Sequence, residues 1–171
     1  AGVKTELLKE YFGSKAKIVR SMPNTPALVG AGMSALYFSR QVEADEKAFV
    51  EKIFGALGET AEVKENEMDA VTGLSGSGPA FVYLFIEALA DAGVLKGLDR
   101  QTALKLAAQT VKGGAEMALK SGKHPAELKD MVASPAGTTI AGIAELEANA
   151  FRSSVISAVK TAAERSEELG K

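Results

Sequence analysis

Cysteine and tryptophan are both absent from these 171 residues, and histidine occurs once, at His124. Without cysteine there is no disulfide framework and no thiolate metal site. One histidine leaves no basis for an imidazole cluster, so no metal site is expected. Charge of one sign is also lacking. Twenty Lys and Arg face 22 Asp and Glu, for a net charge of -2. Such a balance carries no electrostatic footprint for nucleic acid or an anionic membrane surface, and neither is expected as a partner. No apolar run is expected to reach membrane-spanning length, and Lys4-Thr5-Glu6 is no signal peptide. A soluble, cytoplasmic protein is the expectation. What is present in quantity is small: 17 glycines, and alanine throughout the second half. Small residues let helices approach closely but leave little side-chain surface to bury. Either tight packing within the chain or a second copy completing the core accounts for them.

The first part alternates strand and helix. Thr5 to Phe12 reads as a short helix stopped by Gly13. Lys17 to Ser21 reads as a strand. Met22-Pro23-Asn24-Thr25-Pro26 reads as a loop, since its prolines suit neither a helix interior nor a central strand. Gly32 to Ser39 is a second strand. Asp45 to Leu57 has Phe49, Val50, Ile53, Phe54 and Leu57 at helical spacing and stops at Gly58. Thr60 to Lys64 is a last short strand. This looks like the tail of an α/β layer rather than a whole one.

Beyond Glu65 the strands disappear. Met68 to Leu74 reads as a helix running into a break at Ser75-Gly76-Ser77-Gly78-Pro79, with Pro79 in the first turn of the next helix. Asp99 is placed to cap a helix reaching about Lys120. His124-Pro125 opens a short helix from Ala126 to Val132. Ser134 to Thr139 is a turn feeding a helix from Ile140 to about Ala148, and Phe151 to Leu169 is the terminal helix. The fold class is therefore mainly α: residues 65–171 form an all-helical domain, preceded in residues 1–64 by the C-terminal remnant of an α/β, Rossmann-like domain.

Three segments are candidates for chemistry. Gly73, Gly76 and Gly78 lack the strand–turn–helix setting of a phosphate-binding fingerprint. Their plainer reading is a helix break with Ser77 as N-cap and glycines that let helices touch. At Ser134-Pro135-Ala136-Gly137-Thr138-Thr139 a helix N-terminus offers unpaired N–H groups and a partial positive charge, able to hold a carboxylate without Arg or Lys. A plain helix cap is the competing reading. The loop Met22-Pro23-Asn24 follows a strand, where ligand crevices of open α/β folds lie. It serves equally well as a rigid connection.

Taken together, Arg20 to Pro26, Ala70 to Ala80 and Leu128 to Thr139 resemble pyrroline-5-carboxylate reductases, in that family's order and spacing. One departure stands out. The family commonly has Ser-Pro-Gly-Gly at the turn, and Ala136 takes the place of the first of those glycines. The resemblance implies an oxidoreductase that reduces 1-pyrroline-5-carboxylate to L-proline with NADP or NAD as reduced cofactor, the last step of proline biosynthesis. It implies a helical domain that interleaves into a homodimer, with dimers assembling into a decamer. By the same resemblance the backbone amides around Ala136 to Thr139 hold the substrate carboxylate, Ser134, Gly137 and Thr138 are among the substrate-binding residues, and Thr139, the catalytic residue, faces the imine nitrogen. Thr72, Ser75 and Ser77 line the substrate pocket, while Met22, Pro23 and Asn24 flank the nicotinamide. The family's glycine fingerprint lies N-terminal to the likeness, so these residues by themselves are expected to bind cofactor negligibly and to be inactive.

Two other classes compete. A β-hydroxyacid reductase of similar plan places a lysine on a helix of the second domain, and Lys112 beside Gly113-Gly114 is the one in a comparable setting. A helical oligomerisation module would have no active site of its own.

Overall fold

Helix α1 (Thr5–Phe12) ends as its sequence dictates: Gly13 takes φ 88° and its N–H bonds back to the Lys9 carbonyl. The computed structural model describes residues 2–170. After α1 come three strands, β1 (Val19–Met22), β2 (Gly32–Phe38) and β3 (Gly58–Glu62), with helix α2 (Ala44–Gly55) between the last two. They form one sheet in the order β1-β2-β3. β1 runs antiparallel to β2, with Val19 opposite Phe38 and Met22 opposite Ala35. β3 runs parallel to β2, with Gly32 opposite Gly58 and Leu36 opposite Glu62. The β2–α2–β3 passage is thus a βαβ unit, the signature of an α/β layer. Gly32 and Gly58 let the two strand starts close up. Gly58 sits at φ 142°, and a side chain there would strike the Gly32 backbone.

Alternation fills the core. Leu36, Phe38 and Val42 are buried, with Val19, Val50 and Phe54 packed on them. Helix α2 starts on a reciprocal cap: the Glu43 N–H donates to the Glu46 carboxylate at 2.9 Å while Glu43 accepts from the backbone of the first turn.

From Glu65 onward the chain is helical: α3 (Met68–Val71), α4 (Gly78–Leu95), α5 (Arg100–Lys120), α6 (Pro125–Val132), α7 (Thr138–Ala148) and α8 (Phe151–Leu169). Asp99 caps α5 as its position predicts, accepting from the Thr102 N–H at 3.0 Å. His124 caps α6, its Nδ1 accepting from the Ala126 N–H at 3.2 Å.

The expected break at Ser75 to Pro79 does not exist. Thr72–Gly76 is a π-helical turn that carries α3 into α4, and Ser77 has helical angles (φ -85°, ψ -24°), so it is no N-cap. Glycine, serine and proline misled here because a widened turn tolerates them. Removing the break changes a second expectation. The continuous helical stretch Glu65–Leu95 spans 31 residues, and an 18-residue window in it has mean hydropathy 1.5 with 6% of it buried. By length and composition alone it is sufficient to cross a membrane, contrary to the sequence reading.

The chain divides into two units, Ala1–Ala80 with Val155–Lys171, and Phe81–Ser154. In the first, Ser166 of α8 is buried and its hydroxyl donates to Asp69 Oδ1 of α3 at 2.6 Å. Gly73 makes that approach possible: a Cβ there would lie 2.5 Å from the Val159 carbonyl oxygen and 2.9 Å from the Ala163 nitrogen. In the second unit the buried core is alanine, Ala90 from α4 with Ala103 and Ala107 from α5, flanked by Ile86, Leu89 and Val94. Around it stand exposed Tyr83, Leu84, Leu106 and Met117.

Candidate functional site

The α7 corner is built by a tight turn. The Gly137 N–H donates to the Ser134 carbonyl at 3.1 Å, and Ala136 between them adopts φ 54°. That is the left-handed region glycine enters freely and alanine enters at a cost. Ala136 thus holds a conformation that glycine, the residue the resembling family commonly has here, would adopt more readily. Gly137 is the N-cap of α7, in extended conformation at φ -80° and ψ 172°.

Helix α7 begins earlier than its sequence suggests, at Thr138 rather than Ile140, so both threonines lie inside its first turn. The first bond across that turn is Ala141 N–H to the Gly137 carbonyl at 3.3 Å. No side chain caps the end. The N–H groups of Thr138, Thr139 and Ile140 thus point out of the helix unpaired, as the geometry of a helix start requires. Thr139 is half-buried, while Ser134, Ala136 and Thr138 are exposed. The helix-cap reading of Thr139 fails: the cap position is occupied by Gly137, and Thr139 is two residues into the helix.

Gly137 is also sterically tied to Ser134, because a Cβ at Gly137 would collide with the Ser134 Oγ. Ser134 Oγ therefore lies over the same small backbone surface that a ligand at this corner would use.

The π-turn gathers the other hydroxyls. Thr72 Oγ1 donates to the Met68 carbonyl at 2.9 Å, Ser75 Oγ to the Val71 carbonyl at 3.3 Å, and Ser77 Oγ to the Thr72 carbonyl at 3.0 Å. All three protons are spent on the helix backbone, and the oxygens keep acceptor capacity. These half-buried hydroxyls are suited to receive a hydrogen bond rather than give one. Of the glycines read as letting helices touch, Gly73 does so, whereas Gly76 meets a side chain and Gly78 has open space around its Cβ position. Gly73 lies on α8, and a Cβ at Gly76 would lie 2.6 Å from the Met22 Cε.

The loop after β1 meets the π-turn within the first unit. Met22 lies over Gly76, and Ser21, Met22, Met68 and Thr72 line a hollow of about 180 Å³. Pro23 is exposed. Asn24 bonds at both ends of its amide: Nδ2 donates to the Ser75 carbonyl at 3.0 Å and Oδ1 accepts from the Met33 N–H at 2.9 Å. Because β1 is antiparallel to β2, this loop lies beside the start of β2.

Sequence reasoning passed over the most connected carboxylate of the first unit. Glu65 accepts from the Thr5 N–H at 2.6 Å, the Thr5 hydroxyl at 2.7 Å and Arg20 Nη1 at 3.0 Å. Burial pushes its carboxyl up, but the Thr5 donors and the Arg20 guanidinium outweigh that and hold it below the usual range. No local signal marks it, since its partners lie 60 and 45 positions away.

Lys112 lies in α5 with no bonded partner among the described residues, and nothing in the geometry singles it out as an acid or base. No group of three metal-ligating side chains is found among the described residues.

Residues 65–169 match the family described as pyrroline-5-carboxylate reductase dimerisation. The chain is 57% identical to the pyrroline-5-carboxylate reductase of Synechocystis over all of its length and 64% of the relative's. It is 48% identical to that of Escherichia coli, over 100% of this chain and 64% of the relative. Among solved structures it superimposes on a Coxiella burnetii pyrroline-5-carboxylate reductase with TM-score 0.95 at 40% identity, covering 100% of this chain and 64% of the other. A Plasmodium falciparum pyrroline carboxylate reductase crystallised with NADP bound gives TM-score 0.92 at 45% identity, covering 99% and 68%. The chain thus spans somewhat less than two thirds of the curated relatives it matches.

Proposed function

This chain belongs to the pyrroline-5-carboxylate reductase family, and we propose that it forms the C-terminal part of an enzyme reducing 1-pyrroline-5-carboxylate to L-proline, the last step of proline biosynthesis. The observation that carries the reading is the uncapped first turn of α7. Its free N–H groups and dipole form a seat for a carboxylate that needs no basic side chain. The backbone amides from Ala136 to Thr139 take the substrate carboxylate, with Ser134 beside them. The Thr139 hydroxyl, without a protein partner among the described residues, lies toward the ring nitrogen. In the first unit, Thr72, Ser75 and Ser77 keep acceptor oxygens free for a ligand donor. Neither role calls for a strong general base.

A reduced nicotinamide, NADPH or NADH, supplies the hydride. The described residues fit only part of such a cofactor. Gly73 and Gly76 lie inside a helix, against α8 and Met22, so they make no pyrophosphate turn. The hollow beside Met22 and Thr72, with Pro23 and Asn24 following, suits the nicotinamide end. These 171 residues alone are therefore proposed to bind NADPH negligibly and to lack reductase activity.

The domain division proposed is residues 1–64 as the end of the nucleotide-binding domain and 65–171 as the substrate and dimerisation domain. An alanine core ringed by exposed Tyr83, Leu84, Leu106 and Met117 supports a second copy of the chain, rather than lipid, as the cover for the apolar helices. Dimers assembling into decamers and a cytoplasmic location complete the reading.

The test is a pair of measurements. Full-length enzyme should oxidise NADPH on addition of pyrroline-5-carboxylate and be indifferent to small β-keto acids. The 171-residue chain should scatter light as a dimer or a multiple of one and give no heat with NADPH. A full-length enzyme active on β-keto acids alone would sink the reading.

A further inference from the structure

Helix α4 starts with a defect that its own sequence cannot repair. The carbonyl of Ser75 would ordinarily accept from the N–H four residues on, but that residue is Pro79, which has none. The π-turn compounds the problem. Its register sends the Ser77 N–H back to the Thr72 carbonyl at 2.8 Å, and the Ala80 N–H goes to the Ser77 carbonyl at 3.0 Å. The donor that satisfies Ser75 comes instead from Asn24, 51 positions earlier, through Nδ2 at 3.0 Å. Asn24 is itself fixed, since its Oδ1 receives the Met33 N–H at the start of β2. Met22, two residues before Asn24, closes the contact from the side by lying over Gly76.

We infer that Asn24 is a positioning residue that acts through the Ser75 carbonyl. It holds the π-turn carrying the Thr72, Ser75 and Ser77 hydroxyls at a fixed distance from the Met22–Pro23 loop, rather than binding cofactor through its amide. The inference rests on the proposed function for the meaning of those hydroxyls. The tie itself rests on the bonds alone.

Several features follow from one requirement. A π-turn is wider than an α-turn and is easily resorbed into regular helix. Resorption would rotate the residues after it by roughly a quarter turn, shifting Ser77 relative to Thr72, whose carbonyl its hydroxyl now reaches. Pro79 opposes it by removing the N–H that a regular helix would use. Asn24 makes the widened form affordable by meeting the carbonyl left over. A glycine at 76 lets Met22 come close enough to bring Asn24 into reach.

The discriminating variant is Asn24→Asp in full-length enzyme, which keeps an acceptor for Met33 but has no donor for Ser75. Its effect should fall on turnover, with kcat for pyrroline-5-carboxylate lowered roughly 10-fold or more while the NADPH dissociation constant, read by fluorescence without substrate, stays within about 2-fold. Asn24→Asp combined with Pro79→Ala restores an N–H four residues after Ser75, and should recover the melting temperature lost by Asn24→Asp alone while leaving kcat low, because the regular helix then displaces the π-turn. A rise in the NADPH dissociation constant matching the loss in kcat would overturn the inference, since Asn24 would then be a direct cofactor contact. Unchanged kcat would overturn it too, as would failure of Pro79→Ala to recover any stability. Should Asn24→Asp fold too poorly for kinetics, the double variant's melting temperature and kcat decide alone. Wild-type enzyme that does not reduce pyrroline-5-carboxylate would instead remove the functional reading, and the positioning role with it.

Discussion

The Glu65 carboxylate accepts both the N–H and the hydroxyl of Thr5, at 2.6 and 2.7 Å, and so fastens the first turn of α1 to the start of the helical region. Arg20 completes the set from β1, its side chain 12% exposed against 26% for Glu65. Hydrogen bonds to a charged group contribute about 1.5–3 kcal/mol each when removed, and the partial exposure argues for the lower end. Glu65→Ala is expected to cost about 2 kcal/mol of stability, read as a fall in urea midpoint with unchanged slope. The folded-state pKa lies below the ordinary glutamate value, so the contribution is complete above that value and is lost as pH falls through the depressed one. Melting curves of the wild type and Glu65→Ala should therefore converge under acid conditions and be furthest apart near neutrality. A gap that widens on acidification would contradict this.

Ala136 and Ala150 are the only non-glycine residues with positive φ among the described residues, at 54° and 56°. Left-handed backbone costs an ordinary residue about 1–2 kcal/mol, and glycine returns about 0.4–1 kcal/mol of that through unfolded-state entropy. Ala136→Gly and Ala150→Gly should each raise stability by roughly 0.5–1 kcal/mol, additively because the sites are separate. Thermal denaturation of the two single variants and the double variant checks it. Ala136→Val should go sharply the other way.

Thr139→Val keeps the branched shape and removes the hydroxyl. Since the cap position belongs to Gly137, the melting temperature should hardly move. Catalytic efficiency toward pyrroline-5-carboxylate should drop about 10- to 150-fold, as expected for a hydrogen bond to a charged group, with NADPH affinity unaltered. Steady-state kinetics and calorimetry on one preparation of full-length enzyme test both halves. Loss of stability with kinetics intact would return Thr139 to a structural role.

Gly73→Val places carbon where the α8 backbone already lies, with a Cβ 2.5 Å from the Val159 carbonyl oxygen. Backbone cannot yield as a side-chain tip can, so the substitution should cost upwards of about 3 kcal/mol, or prevent folding. Gly114, with open space around its Cβ position, provides the contrast: Gly114→Ala should be stabilising by about 1 kcal/mol in a helix interior. Circular dichroism melts of the two variants check both outcomes.

Much of this was legible along the chain because the signals are local. Asp99 before a helix, Gly13 after one and the full extent of α8 need only neighbouring residues to be read. The π-turn escaped because its stabilising donor, Asn24, is contiguous with it in space but not in sequence. Ser75 to Pro79 therefore looked like a break, when a distant amide was supplying what the helix lacked. Thr138 and Thr139 were recognised as candidates, but the helix was expected to begin after them, which made a cap seem the natural alternative. Glu65 was invisible for the same reason as the Asn24 tie: a carboxylate in a polar stretch advertises nothing until Thr5 and Arg20 are brought to it.

The first unit is closed by a helix far from it in sequence. Residues 155–171 return to it, where Ser166 meets Asp69 and Ala163 lies against Gly73. Synthesis runs from the N-terminus, so the strands and α3 emerge from the ribosome long before the helix that covers them. The second unit, contiguous in sequence, can form while the first still waits for α8. A nascent chain stalled ahead of Val155 would therefore expose the Gly73 face, and chaperone engagement during translation should concentrate on that interval and end once α8 packs against α3.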